Sequence, residues 1–534
     1  MTEKKPGSIE IGSSPEDYSK AYEFIDDLLK RNRITHTVSD EVKRVFEALY
    51  HNIQEQTGGR ASLRITGQKS LGDTKIRLGY FGKPFVLTEE VGDIISPEAR
   101  ILNAYADKID CSYHSGHNNI SISVKRSPGR AILLCIIAMV LAGIAYLAIH
   151  FCAGLKAEAY ISERIIWPFE VMFARAMLLV AGPVTFFSLL KNLTDTYIFS
   201  STVSDTRKVQ GKTIITSVIS VILALLISVP IGLYFKGLFP ILKDFKIAEM
   251  EMASLEDLVS DIVPTDILSL FEGVSPFPMI IIAVITTYAF CSSGKYFDMM
   301  KEATDVCYSL FSSMLSLVMY TLPVFAFISF LDMLLFTGPK MLLYVVYFTM
   351  IVLVSLLAMA GFYTIRLKLG GVAADPFYRK LGGLIYENIK INSAIDAVPF
   401  NVRYCMRTYK IDRKRLEDTL PVLAQINLDG NCFVITMISV LILLLSDTPF
   451  SVMNIASMAV LVLFLSLGAP NQPGSVLVGL LIILNYLSLT DLIPLAIYCE
   501  VMFGSLLNII NVTGDIVTVA VLDNQEKSLD AKSV

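Results

Sequence analysis

Asp429 sits in INLDGN, residues 426–431, just ahead of the apolar run CFVITMISVLILLL, and Asp515 closes NVTGD, residues 511–515, in a second apolar stretch. Each motif sets an asparagine and an aspartate within a turn or so of one another, with a glycine beside the acid. A carboxylate at the centre of a bilayer costs about 2.5–3.5 kcal/mol on insertion scales, so each must have a compensating partner. Carboxylate and amide oxygens are hard ligands suited to Na+, and glycine lets backbone carbonyls turn toward an ion. Asn427, Asp429, Asn511 and Asp515 are therefore candidate cation ligands. The bland alternative is that each aspartate caps the N-terminus of a broken helix. Two copies of one motif, both expected beside helix breaks, favour the cation.

Two further acids lie in apolar surroundings. Glu500 follows LAIYC with no adjacent amide, and reads either as a snorkelling or cavity-facing residue or as a proton or substrate contact. Asp396 reads either as turn chemistry or as part of a site. The stretch SLGAPNQPGS, residues 466–475, offers two glycines, two prolines and small polar side chains between apolar runs. Such a tip brings its backbone close to a ligand and can still move.

The elements that must hold these residues are membrane helices. The chain has 534 residues, 54% hydrophobic and 18% charged, and its mean hydropathy is +0.58, far above that of a soluble protein of this size. Runs near the roughly 20 residues that cross a bilayer are expected at 130–152, 167–190, 211–236, 267–292, 307–336, 340–366, 427–446 and 491–522. Segments 379–404 and 451–488 are each interrupted, by NIKINSAIDAVPFN and by SLGAPNQPGS, and read as helix, polar break, helix. Broken backbone cannot face lipid; it lines a cavity or lies within protein, and paired breaks point to a midplane site.

Charge orients the chain. The expected loop 401–415 carries six Lys or Arg, and KRSPGR precedes the first span, so both face the cytoplasm; segment 237–265 has six acidic residues against two basic and faces outward. Both termini then lie inside, and the two broken segments enter as re-entrant hairpins from opposite sides. The first 30 residues hold no apolar signal segment. Residues 1–128 mix helical patterns with short alternating strands, ASLRITGQ, TKIRLGYF and ISISVKR, as an α/β cytoplasmic domain tethered by KRSPGR, and 523–534 form a cytoplasmic tail. The eight cysteines are scattered singly, which implies neither zinc nor a disulfide framework, and a net charge of −4 does not suit nucleic acid.

Together these motifs resemble the dicarboxylate/amino acid:cation symporter family, the glutamate transporter homologues, over residues 130–522. NLDGN is similar to the family's N-M-D-G-T, NVTGD to its N-V-x-G-D, SLGAPNQPGS to its second hairpin tip, and NSAIDAVP, residues 392–399, takes the place of its serine-rich first tip. AGPVTFF (181–187) and TLPVFAF (321–327) fall where further family motifs stand. The resemblance implies eight transmembrane helices with two re-entrant hairpins, trimers in a plasma or inner membrane, and a transport domain that slides past a scaffold as an elevator. It makes Asn427, Asp429, Asn511 and Asp515 sodium ligands, with Ser217 or Ser220 completing a site. Asn392, Ser393, Asn431, Pro473, Gly474, Gly504, Leu507 and Asn508 fall at substrate-binding positions.

The departures reshape the expected cargo. Where the family has an aspartate for the substrate amino group this chain has Gly504, and where it has an arginine for a side-chain carboxylate it has Leu507; Asn508 replaces a threonine. In the first tip only Ser393 remains of the serine run, before Ala394 and Ile395. An acidic side chain buried without its guanidinium loses about 2–5 kcal/mol, so glutamate and aspartate are poor candidates. Lys390 is the one nearby cation of the first hairpin, and reads as a cytoplasm-facing side chain or as a substitute partner. The expected activity is Na+- or H+-coupled symport of another small amino or organic acid, without an organic cofactor. A non-transporting sensor is the competing reading.

The first 128 residues resemble, more weakly, the histidine-kinase-like ATPase fold of anti-sigma-factor serine kinases, through FEALYHNIQEQ (46–56), RLGYFGKPF (77–85) and the segment 100–126. Its chemistry is eroded: Tyr80 replaces the adenine-contacting aspartate, Asn52 is one residue out of step after Glu47, and no Gly-rich lid is visible. A regulatory domain with a cytoplasmic partner is the better expectation than an ATP site or a membrane-tethered kinase.

Overall fold

The computed structural model describes residues 8–533, apart from 86–108, 236–270, 272–275, 446–451 and the short gaps at 13, 33, 35, 60, 71–72, 115, 125–127, 203–205, 339, 471, 488 and 490–491. The chain divides into two compact units, Met1–Ser127 and Pro128–Val534.

The first unit is a five-stranded sheet against two helices. Its elements are β1 (Ser8–Ile11), α1 (Pro15–Arg31), α2 (His36–Thr57), β2 (Leu63–Ser70), β3 (Asp73–Phe81), β4 (Ile109–His114) and β5 (His117–Val124), in sheet order β1-β2-β3-β5-β4, antiparallel throughout. Three strands match the three alternating stretches; β1 and β4 add to them. Helix α1 starts where Ser14 accepts from the Asp17 amide at 3.1 Å, with Pro15 in its first turn and Lys30 and Arg31 in its last. Period-two alternation puts Leu63, Ile65, Ile76, Leu78, Ile120 and Ile122 on one face, buried with Ile25, Leu29, Phe46, Leu49 and Ile53 of the helices. Tyr80 joins this core, and burial pushes its hydroxyl up to about 12. A ring so enclosed is part of the packing between sheet and helices. Glu47 is exposed, while Asn52 is buried and accepts from Gln56. Residues 100–108 of the expected last helix lie outside the described residues.

The second unit is helical: α3 (Pro128–Ala153), α4 (Leu155–Tyr160), a π-helical turn (Ile161–Ile166), α5 (Trp167–Thr202), α6 (Thr206–Phe235), α7 (Pro276–Ser292), α8 (Phe297–Tyr320), α9 (Leu322–Thr337), α10 (Lys340–Leu369), α11 (Ala374–Ile391), α12 (Ala394–Thr408), α13 (Arg413–Ile426), α14 (Asp429–Leu445), α15 (Val452–Leu467), α16 (Ser475–Tyr486) and α17 (Ile493–Ser533). Among the described residues six helices are long and apolar enough to cross a membrane, or seven if α7 and α8, bent by 109° at their junction, are counted as one span.

Several elements differ from the expected spans. The run 307–336 is two helices that meet at Thr321, because Pro323 in the first turn of α9 has no amide to continue α8. Most of the basic loop 401–415 is helix; only Tyr409–Asp412 connects α12 to α13, and the charges ride on helix ends. Helix α13 precedes the Asp429 motif, so Asn427 and Leu428 form a break inside a longer apolar rod. Asp515 lies in the interior of the unbroken α17, so only one of the two aspartates adjoins a break. That helix runs on through the expected tail, where Asp523 accepts from the Asp412 amide at 3.4 Å and Asn524 donates to the Gly370 carbonyl at 2.9 Å. The acidic segment 237–265 lies outside the described residues.

Helix α14 is apolar on all sides and buried from Asp429 to Leu444, which places it at the centre of the unit. It packs on α6, α15, α16 and α17. The α11–α12 pair is locked by reciprocal amide bonds between Asn388 and Asn401, at 2.8 and 3.3 Å. Lys191, Asp195, Lys301 and Asp305 form a closed ring of four ion pairs between α5 and α8, at 2.7–3.3 Å. Gln425, two residues before Asn427, donates to Asp195 at 3.5 Å.

Candidate functional site

The break at Asn427 and Leu428 puts Asp429 in the first turn of α14, where free amides favour an acid. A cap alone does not account for its surroundings. Ser217 of α6 donates to Asp429 Oδ1 at 3.4 Å, and Tyr363 of α10 to Oδ2 at 3.2 Å and to the Ile510 carbonyl at 3.0 Å. Asn427 donates to Asp515 Oδ1 at 2.8 Å. Asn511 accepts from the Gly430 amide at 2.7 Å and donates to Asn431 Oδ1 at 3.0 Å. The two motifs therefore share one network, with Asp429 0% and Asp515 2% exposed.

Every partner of these carboxylates is neutral. Among the described residues no lysine, arginine or histidine comes within ion-pair distance of Asp429, Asp515 or Glu500. Buried carboxylates with neutral donors are electrostatically incomplete, and either a proton or a monovalent cation among their oxygens would complete them. Small residues allow the close approach: a Cβ at Gly514 would lie 2.7 Å from the Tyr363 hydroxyl, 2.9 Å from Asn427 Nδ2 and 3.0 Å from Asp429 Oδ2.

Of the two candidate serines on α6, Ser217 reaches the network, while Ser220 donates back to the Thr216 carbonyl at 2.9 Å. Thr216 takes a place that the spacing had not singled out, with its hydroxyl 3.4 Å from Asn427 Oδ1. Tyr363 was missed as well: a tyrosine in AMAGFYTIRLKL reads as an interfacial residue, and only its depth shows otherwise.

A second group lines a small, partly open cleft beside the network. Asn392, Ser393, Asn431, Pro473, Gly504, Leu507 and Asn508 all face it, as do Glu500 and Gln472. Gly474 does not line it but shapes its tip, with φ +105°, a conformation that favours glycine. At the other tip Asn392 is left-handed at φ 49°, and its Oδ1 is buried with no hydrogen-bond partner. Ser393 caps α12 by accepting from the Asp396 amide at 3.2 Å, so Asp396 sits in a first turn and does not line the cavity. The Lys390 side chain lies outside the described residues.

Glu500 has a defined task. Its Oε1 accepts from the Gly474 amide at 2.8 Å and its Oε2 from the Leu477 amide at 3.0 Å, which caps α16 across the cavity from α17. A Cβ at Gly504 would lie 2.8 Å from that Oε1, so the missing side chain at 504 is what makes room for the carboxylate. Gln472 ties the same tip to α8, accepting from Ser312 at 2.8 Å. Glu500→Gln keeps the volume but turns one acceptor into a donor facing an amide. Exchange at the Gly474 and Leu477 amides, followed by mass spectrometry, should rise about tenfold, on the scale of one lost charge-assisted bond; unchanged protection would show that the tip is held otherwise.

The family model described as the sodium:dicarboxylate symporter family matches residues 130–525. No curated protein matches the chain.

Proposed function

Because the chain belongs to the sodium:dicarboxylate symporter family, a family of multi-pass membrane transporters of small molecules and not of enzymes, we propose that it is a Na+- or H+-coupled symporter whose cargo is a small polar solute other than glutamate or aspartate. The observation that carries this reading is the single buried network of Asn427, Asp429, Asn511 and Asp515, joined by Ser217, Thr216 and Tyr363 and lacking any cationic partner among the described residues. These groups hold the coupling ion, and the adjoining cavity holds the solute.

The lining supports the change of cargo. Its polar groups are amides, hydroxyls and the Glu500 carboxylate, and among the described residues no lysine or arginine faces it. A second carboxylate on the solute would be desolvated beside Glu500 with no matched donor. A neutral or zwitterionic solute meets amide donors and acceptors without that penalty.

In this reading α11–α12 and α15–α16 are re-entrant hairpins that enter from the cytoplasm and the exterior, with both termini cytoplasmic in a plasma or inner membrane. Three chains assemble, and the part that carries the site slides as an elevator with ion and solute enclosed. The first unit is a regulatory domain for a cytoplasmic partner, since a buried Tyr80 and the spacing of Glu47 and Asn52 do not suit an ATP site.

The test is uptake by proteoliposomes containing the full chain under an inward sodium gradient, across labelled neutral, zwitterionic and dicarboxylic solutes. Accumulation of a neutral or zwitterionic solute, at least tenfold over that of glutamate and abolished by collapsing the gradient, is the expected result. Uptake of none under either a sodium or a proton gradient would sink the reading.

A further inference from the structure

Arg366 occupies an unusual place. It lies in the last turn of α10, where an arginine ordinarily extends its guanidinium to water. Here one arm, Nη2, donates to Thr518 Oγ1 of α17 at 2.9 Å, and the other, Nη1, is buried with no hydrogen-bond partner. A buried guanidinium N–H without an acceptor is costly, and it persists only where something else holds the side chain.

Its neighbours are those of the ion site. Tyr363, three residues earlier on the same face of α10, bonds Asp429. Thr518, three residues after Asp515 on the same face of α17, donates its own proton to the Gly514 carbonyl at 2.7 Å and so presents lone pairs to Arg366. Residues three apart on a helix are about 5–6 Å apart at Cβ. The guanidinium is thus anchored one helical turn along α17 from the buried Asp515 carboxylate, which accepts from the amide of Asn427.

We propose that Arg366 is a tethered counter-cation of the ion site, held back on Thr518 and able to engage Asp515 in place of a metal ion. The inference rests on the cation-site reading above. Parked, the guanidinium leaves Asp515 to the ion and repels it from a turn away. Engaged, it satisfies both its own free arm and the carboxylate, so the site is charge-compensated without metal. The side chain thereby lowers the affinity for the coupling ion and lets the carrier exist unloaded.

The two residues predict opposite shifts. Arg366→Gln removes the competitor and should bring half-saturation by sodium to roughly tenfold lower concentration, the effect of one nearby charge at intermediate screening. Thr518→Val removes the parking acceptor and should raise it by a similar factor. The readout is thermal stability of the full chain against sodium, at constant ionic strength with choline as the replacement. Equal half-saturation in wild type and Arg366→Gln, or tighter binding in Thr518→Val, overturns the inference and leaves the ion site intact. No sodium dependence in the wild type overturns the ion site and this inference with it. If Arg366→Gln does not fold, the sign of the Thr518→Val shift decides.

Discussion

Asp515→Asn should abolish the sodium-dependent rise in thermal stability of the full chain, and Asp429→Asn should do the same. Asparagine keeps the volume and one acceptor oxygen, so Asn427 can still donate to residue 515, and Ser217 or Tyr363 to residue 429. What disappears is the negative charge that makes a desolvated cation affordable in a buried site. A ligand present at a hundredfold its dissociation constant stabilises the bound state by about 2.7 kcal/mol, and that increment is what each variant should lose. Melting in sodium chloride against choline chloride at equal ionic strength measures it. A sodium shift of wild-type size in both variants would remove these aspartates from the ion site.

The second large effect is expected from one methyl group. Gly430 follows Asp429, and a Cβ there would run into the Leu507 carbonyl oxygen, with Asn511 Oδ1 and Ile510 Cβ both at 3.0 Å. Two of these three belong to the backbone or the Cβ of α17, which cannot rotate away. Gly430→Ala therefore forces α14 and α17 apart at the level where Asn511 bonds the Gly430 amide. Overpacking of this kind costs about 1–3 kcal/mol or more, and sodium-dependent stabilisation and uptake should both fall with it. Gly382→Ala is the control. It adds a methyl in open space within α11, where glycine costs a helix about 0.5–1 kcal/mol relative to alanine, so it should be neutral or stabilising. Equal behaviour of the two variants would mean that the α14–α17 contact is not tight.

Much of the helical order was legible in the sequence, because apolar runs of bilayer length and polar breaks report local physics. SLGAPNQPGS interrupts helices where its Pro/Gly content says it should, whereas NIKINSAIDAVPFN breaks only at Asn392 and Ser393, with Pro399 inside α12. The break at Thr321 was hidden, since TLPVFAF is apolar on both sides of Pro323 and hydropathy does not register a missing amide. The helix around Asp515 was misread for the converse reason: glycine beside an acid looks like a break, yet Gly514 is there to admit Tyr363 and Asn427. Acid and amide ligands stood out because they are improbable in apolar runs. Thr216, Tyr363 and Arg366 did not, since hydroxyls and helix-end arginines are common and only depth distinguishes them. The role of Glu500 as a cap for α16 joins residues 23 and 26 apart in sequence, and nothing local announces it.

Helix α17 has 41 residues, a length of about 60 Å, while the hydrocarbon layer is about 30 Å thick. The same unbroken rod carries Asn508, Asn511 and Asp515 and, beyond them, Asp523 and Glu526, which meet Asp412 and Arg415 at the α12–α13 corner. A rod without a hinge transmits displacement undiminished. Under the sliding motion proposed above, a fluorophore or spin label near its far end would travel as far as the buried aspartate, and would turn an inaccessible movement into a distance that can be read from outside the bilayer.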